Sequence, residues 1–174
     1  MNLFKKLANQ TAIYGLSSVI GRLLNYLLVP LYTRYFLPSE YGVVTEMYAY
    51  VAFLVVFLTY GLETAFFRFI NSENDPKKVY STALISLIVS SSVFVLILFT
   101  SASSVASILG HGIQTIFVQW FSIIIGLDAV SSISFAKLRG EERAVKFAAI
   151  KLFTIFSNIL LNLYFIVYKG FGIE

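Results

Sequence analysis

Apolar positions in this chain come in long uninterrupted runs rather than in one-sided stripes. Windows at 11–31, 43–62, 79–100, 113–134 and 147–168 are apolar around most of a helical circumference. Each spans the roughly 20 residues that a helix needs to cross a bilayer. A soluble core helix would instead show one apolar stripe. The pattern predicts an all-α fold, a polytopic transmembrane helix bundle of about five spans in a single transmembrane domain covering 1–174. The longest polar break is NSENDPKK at 71–78, and no repeat, low-complexity linker or soluble domain interrupts the series. Residues 1–6 form a short basic flank. The apolar stretch behind them is too long for a signal-peptide core, contains Arg22 and is followed by no small-residue cleavage site, so it reads as a retained span. After the fifth window, GFGIE resembles a turn that introduces a further element, which predicts that the chain is the N-terminal part of a larger protein.

Composition sharpens the class: 58% of residues are hydrophobic and 13% charged, as in membrane proteins. The absence of cysteine excludes disulfides and cysteine-ligated metals. The single histidine, His111, reads as a loop residue and argues against a histidine-based metal site. No metal, cofactor or nucleic-acid partner is expected. The net charge of +4 matters through its distribution. With the N-terminus inside, Lys5, Lys6, Arg68, Lys77, Lys78, Lys137, Arg139, Arg143, Lys146 and Lys151 fall on the cytoplasmic side, against Arg34 and Lys169 outside. The 101–112 connection has no lysine or arginine, whereas KLRGEERAVK at 137–146 has four. A multi-pass protein with a cytoplasmic N-terminus follows.

Candidate chemistry lies in the polar residues within the spans. At 100° per residue, Thr11, Tyr14, Ser18, Arg22 and Asn25 share an arc of about 80° on the first helix, and Lys151, Thr154, Asn158 and Asn162 share another of about 80° on the fifth. Arg22 sits mid-span, about 15 Å from either interface, too far for full snorkelling. Either it faces a water-filled cavity that accepts an anion, where its guanidinium fork suits a phosphate, or it pairs with Asp128 or Glu46 as a buried structural ion pair. Lys151, one turn inside the inner interface, either lines the same cavity or snorkels and serves topology. Asn158 and Asn162, four apart, serve as substrate contacts or as interhelical hydrogen-bond glue. Asp128, with Ser131 and Ser132 beyond it, belongs to the fourth span. Glu46 is placed near the outer end of the second, while Glu63 and Arg68 read as interfacial. The third span carries serines and no charge, as suits a lipid-facing or tightly packed helix. Pro30, with Gly15 or Gly21, is expected to let the first helix bend.

The opening NQTAIYGLSSVIGRLLNYLLVPLYTRYFLPSEYGVVTEM resembles that of bacterial polysaccharide-biosynthesis membrane proteins, the Wzx-type lipid-linked oligosaccharide (O-antigen) flippases. The most specific piece is PLYTRYFLPSEYG at 30–42, read as a proline-started helix end, a short external turn and a Tyr-Gly that opens the second helix. KLRGEER and GFGIE are also similar to that family, and the resemblance covers the whole chain. It implies a fold of the multidrug/oligosaccharidyl-lipid/polysaccharide exporter (MATE-like) superfamily, with two bundles of about six helices around a central cavity. This chain would supply most of one lobe and would not transport alone. The family's cationic cavity maps first onto Arg22, and after it onto Lys151, Asn25 and Asp128.

The resemblance implies export, by flipping across the bacterial inner (cytoplasmic) membrane, of an undecaprenyl-pyrophosphate-linked oligosaccharide for surface polysaccharide such as the O-antigen of lipopolysaccharide. Arg22 would neutralise the pyrophosphate, with Ser18, Asn25, Lys151 and Asn158 as further substrate contacts, and membrane lipid would hold the tail. Asp128 or Glu46 would then serve as a coupling acid or an ion-pair partner. No bond is made or broken, so no enzyme is implied. A cation-coupled MATE-like small-molecule exporter is the alternative transporter, although it calls for acidic rather than basic residues at mid-membrane. A non-transporting membrane scaffold for other polysaccharide-assembly proteins, docking through KLRGEERAVK, is the reading from another class. No Cys, no His within a span and no close carboxylate pair offers a catalytic constellation.

Overall fold

The computed structural model describes residues 3–70, 75–110 and 113–170 of the 174. The described residues are helical throughout, and five helical stretches are long and apolar enough to cross a membrane: Ala8–Tyr35, Pro38–Thr59, Pro76–Thr100, Thr115–Gly140 and Ala144–Tyr168. This is a multi-pass membrane protein with an all-α fold. The helices extend beyond most of the apolar windows because capping residues, rather than the last apolar side chain, set where a helix stops. The expectations at His111, at 71–74 and at the end of GFGIE lie outside the described residues.

The chain divides into two compact units, Met1–Tyr41 with Glu141–Glu174, and Gly42–Gly140. In the first, α1 (Leu3–Tyr26) packs along α8 (Ala144–Asn162). A series of contacts shows that the two run parallel. Gln10 Nε2 donates to Glu142 Oε2 at 3.5 Å, the Tyr14 ring stands edge-on to Phe147 at 5.1 Å, and Gly21 abuts Ile155. Ser17 and Gly21 are buried on this face, opposite buried Phe147 and Ile155. Small residues let two membrane helices approach closely where no hydrophobic effect drives them together.

The first span is not one helix. After Tyr26 the chain turns at Leu27 and Leu28, the Leu28 N–H bonding the Asn25 carbonyl at 3.1 Å, and α2 (Val29–Tyr35) follows with Pro30 in its first turn. Proline has no N–H for the Tyr26 carbonyl, and its ring crowds that carbonyl. The expected bend is therefore at Pro30 alone, since α1 runs unbroken through Gly15 and Gly21. Beyond Asn162, α8 passes into a π-helical turn, Leu163–Tyr168. The second span opens at Pro38 rather than at Tyr41-Gly42. Proline takes the first helical position, and the Glu40 carboxylate reaches back to accept the Leu37 N–H at 2.8 Å, half of a capping box.

The second unit holds most of α3 (Pro38–Thr59), then α4 (Leu62–Ile70), α5 (Pro76–Thr100), α6 (Ala102–Leu109) and α7 (Thr115–Gly140). Tyr60 and Gly61, with φ of 35° and 71°, end α3 in the left-handed region and turn the chain into α4. α7 is the most buried of the candidate spans and the axis of this unit. Its Gly126 lets Val95 of α5 approach so closely that a Cβ there would meet Val95 Cγ2 at 2.6 Å. Ala83 and Leu87 of α5 pack on Ile133 and Ala136, and Val51 and Leu58 of α3 on Ile125 and Ala129. Past Lys77 and Lys78 in its first turn α5 carries no charge; it is tightly packed on one side, through Ala83, Leu87 and Ser91, and exposes Val89, Val93, Leu96 and Ile97 on the other.

Candidate substrate-binding site

In the first unit the parallel register of α1 and α8 decides which polar residues meet. Gln10 with Glu142, Tyr14 with Phe147 and Gly21 with Ile155 fix an offset that puts Ser18 level with Lys151 and Asn25 level with Asn158. The two polar stripes therefore run side by side. Arg22 follows Gly21, a rotation of about 100° out of the helix contact. It lies about 6 Å along the axis from the Ser18–Lys151 level.

Arg22 is midway along the candidate span Ala8–Tyr35, and its side chain is exposed. Among the described residues of its unit it forms no hydrogen bond and no ion pair. Asn25 is exposed beside the break, with its carbonyl taken by the Leu28 N–H, and Ser18 is half-buried. Lys151 is half-buried, with Nζ 5.4 Å from the centre of the Phe147 ring, a cation–π contact that holds its ammonium near the helix pair. Thr154 turns its hydroxyl back to the Ile150 carbonyl at 3.0 Å and is self-satisfied.

Asn158 and Asn162 form a network. The Asn162 amide donates to the Asn158 side-chain oxygen at 2.6 Å and to its carbonyl at 2.9 Å, while Asn162 Oδ1 accepts the Tyr32 hydroxyl at 2.8 Å. Asn162 thus ties α2 to α8 across the break, and Asn158 stays exposed. Tyr32 was not among the residues singled out from the sequence; a tyrosine two residues past a helix-breaking proline is its only signal. Ser17, the neighbour of Ser18, is the buried serine and donates to the Tyr14 carbonyl at 3.0 Å.

Asp128 and Glu46 belong to the second unit. Asp128 is exposed on α7, and Ser132 beyond it donates to the Ala129 carbonyl at 2.7 Å. Glu46 is half-buried and accepts the Tyr50 hydroxyl at 2.7 Å. Because α3 begins at Pro38, Glu46 lies more than two turns inside its helix. Among the described residues of this unit neither carboxylate has an ion-pair partner. An interhelical pair in this unit joins Glu63 of α4 to Arg139 of α7, with the Arg139 guanidinium 5.5 Å from the Phe67 ring centre. Sequence reading took Glu63 as interfacial and named no partner for it, since the pairing with Arg139 depends on packing between helices.

The model of a family described as polysaccharide biosynthesis protein matches residues 31–174. The chain belongs to the polysaccharide biosynthesis protein family. No curated protein and no solved structure matches it. Lys151, Asn158, Asp128 and Glu46 lie within the stretch matched to the family, whereas Ser18, Arg22 and Asn25 precede it.

Proposed function

We propose that this member of the polysaccharide biosynthesis family forms part of a flippase that carries an undecaprenyl-pyrophosphate-linked oligosaccharide from the cytoplasmic to the outer leaflet of the bacterial inner membrane. The observation that carries the reading is Arg22: a guanidinium midway along a membrane span, exposed, with no anion from its own unit. Such a charge is expensive in hydrocarbon and stable where it meets water or an anionic ligand. Its fork offers two parallel donors to a phosphate, and Lys151, about one turn away along the axis, adds a point charge for the second phosphate. Ser18, Asn25 and Asn158 supply hydroxyl and amide groups for sugar hydroxyls. The apolar exterior of the helices leaves the polyprenyl tail in lipid throughout. No covalent bond changes, so the work of these residues is to replace the hydration of the charged head group during its passage.

The test is flipping of a fluorescent lipid-linked oligosaccharide in proteoliposomes of the complete flippase that the chain forms part of, comparing Arg22 with Arg22→Lys and Arg22→Ala in protein of equal helicity. Arg22→Ala is expected to lower the rate at least tenfold, the scale of one charge-assisted hydrogen bond of about 1.5–3 kcal/mol, and Arg22→Lys less. Unchanged flipping in Arg22→Ala would remove Arg22 from the path.

A further inference from the structure

Where α4 meets the start of α5, the second unit carries an open groove of about 540 Å³. Its α4 wall is Leu62, Ala65 and Phe69, which share a face at i, i+3 and i+7. Its α5 wall is Val79, Ala83 and Ser86, which share a face at i, i+4 and i+7. Lys78 and Asp75 stand at one end only. The Asp75 Oδ1 atom is engaged in capping α5, accepting the Lys77 and Lys78 N–H groups at 3.1 and 3.3 Å. The Lys78 ammonium is 4.0 Å from the other oxygen, with 84% of its side chain exposed. Lys77 and Arg68 are exposed at the same end of the hairpin.

Charge at one end and apolar walls beyond it fix both the orientation and the depth of an occupant. From Asp75 to Ser86 the groove follows α5 for about 16 Å, half of a hydrocarbon core of about 30 Å, or one leaflet. By the distribution of lysine and arginine the charged end is cytoplasmic. We propose that the groove seats an acyl chain of an anionic glycerophospholipid of the cytoplasmic leaflet, whose headgroup phosphate is held by Lys78, Lys77 and Arg68. Lys78 lines the charged end, Lys77 and Arg68 are exposed at the same end of the hairpin, and the carboxylate that lines the groove, Asp75, is committed to capping, a balance that suits the single charge of a phosphodiester. A pyrophosphate would bring more charge against Asp75, so this lipid is a constituent of the membrane rather than the cargo proposed to meet Arg22.

The experiment is native mass spectrometry of the purified protein in micelles doped with phosphatidylglycerol or phosphatidylcholine. Phosphatidylglycerol is expected to be retained in preference. The double variant Lys77→Gln/Lys78→Gln should weaken that retention by roughly fivefold for each lysine removed near an anionic surface, while Lys169→Gln leaves it unchanged. Ala65→Phe, which fills the groove, should release both lipids. Should Ala65→Phe fail to fold, the lysine variants decide, since both side chains are exposed and neither is needed for packing. Glycerol 3-phosphate, the head group without its tail, should not compete. Equal retention of the two lipids, an equal loss in Lys169→Gln, displacement by glycerol 3-phosphate, or preference for undecaprenyl phosphate over phosphatidylglycerol would each overturn the assignment. The flipping assay is independent of all of them.

Discussion

A Cβ at position 21 would stand 2.6 Å from Cδ1 of Ile155, so the closeness of α1 to α8 depends on a missing side chain. Gly21→Ala is expected to be tolerated, because the obstructing atom is the end of a flexible side chain. Gly21→Leu should destabilise the first unit by about 1–3 kcal/mol, the range for overpacking. Ile155→Ala should recover part of that loss, and thermal unfolding of the two single variants and the double checks it. A Gly21→Leu protein as stable as the wild type would mean that the helix pair is not in this register, and the levelling of Ser18 with Lys151 would go with it. The Glu63–Arg139 pair invites a second test of the same kind. Both side chains are about a third exposed, so screening is substantial. Arg139→Ala loses the ion pair together with the contact on Phe67, and is expected to cost roughly 1–2 kcal/mol, with Glu63→Gln recovering some of it in a double-mutant cycle. Sequence alone made Arg22 conspicuous, because a charge in an apolar run is costly wherever the run folds. It could not reveal Glu63, whose meaning depends on a partner 76 positions away.

At the scale of elements, membrane spans were legible because their length is set by the bilayer, while the interruptions within them were legible only where a residue type forces one. Pro30 forces one and was read as a bend; the exit at Tyr60-Gly61 and the π-helical turn after Asn162 carry no comparable signal. The cap at LPSE was legible in principle. Pro38 at the first helical position and Glu40 two residues later are a standard start, but the apolar window drew attention past them to Val43. The break itself has two candidate causes, the proline and the hydrogen bond from Tyr32 to Asn162. Spin labels at Leu16→Cys and Tyr35→Cys separate them. A straight helix holds those backbone positions about 28 Å apart, and the wild type is expected below that. Pro30→Ala restores an N–H for the Tyr26 carbonyl and should lengthen the distance toward the straight value. An unmoved distance would assign the bend to the Tyr32–Asn162 bond, and Tyr32→Phe in the Pro30→Ala background should then release it.

For the molecule as a whole, orientation in the membrane underlies both the proposed direction of transport and the proposed leaflet of the lipid groove, and the prediction of it rests on charge alone. Lysine and arginine are held back on the cytoplasmic face, so their crowding at 137–146 and absence at 101–112 predict an N-terminus inside. The chain contains no cysteine, which makes a reporter clean. Ser104→Cys lies exposed on α6 in the lysine-free connection, and Lys77→Cys lies exposed at the start of α5. In intact cells with a permeabilised outer membrane, a membrane-impermeant maleimide is expected to label Ser104→Cys and to leave Lys77→Cys unlabelled until the inner membrane is opened. The reverse pattern would invert the topology. Lys78 and Arg68 would then meet the outer leaflet, and Lys151 would lie nearer the outer than the cytoplasmic face. Labelling of both sites in intact cells would mean that α5 does not cross the membrane, and the apolar face it exposes through Val89, Val93, Leu96 and Ile97 would need a protein partner instead of lipid.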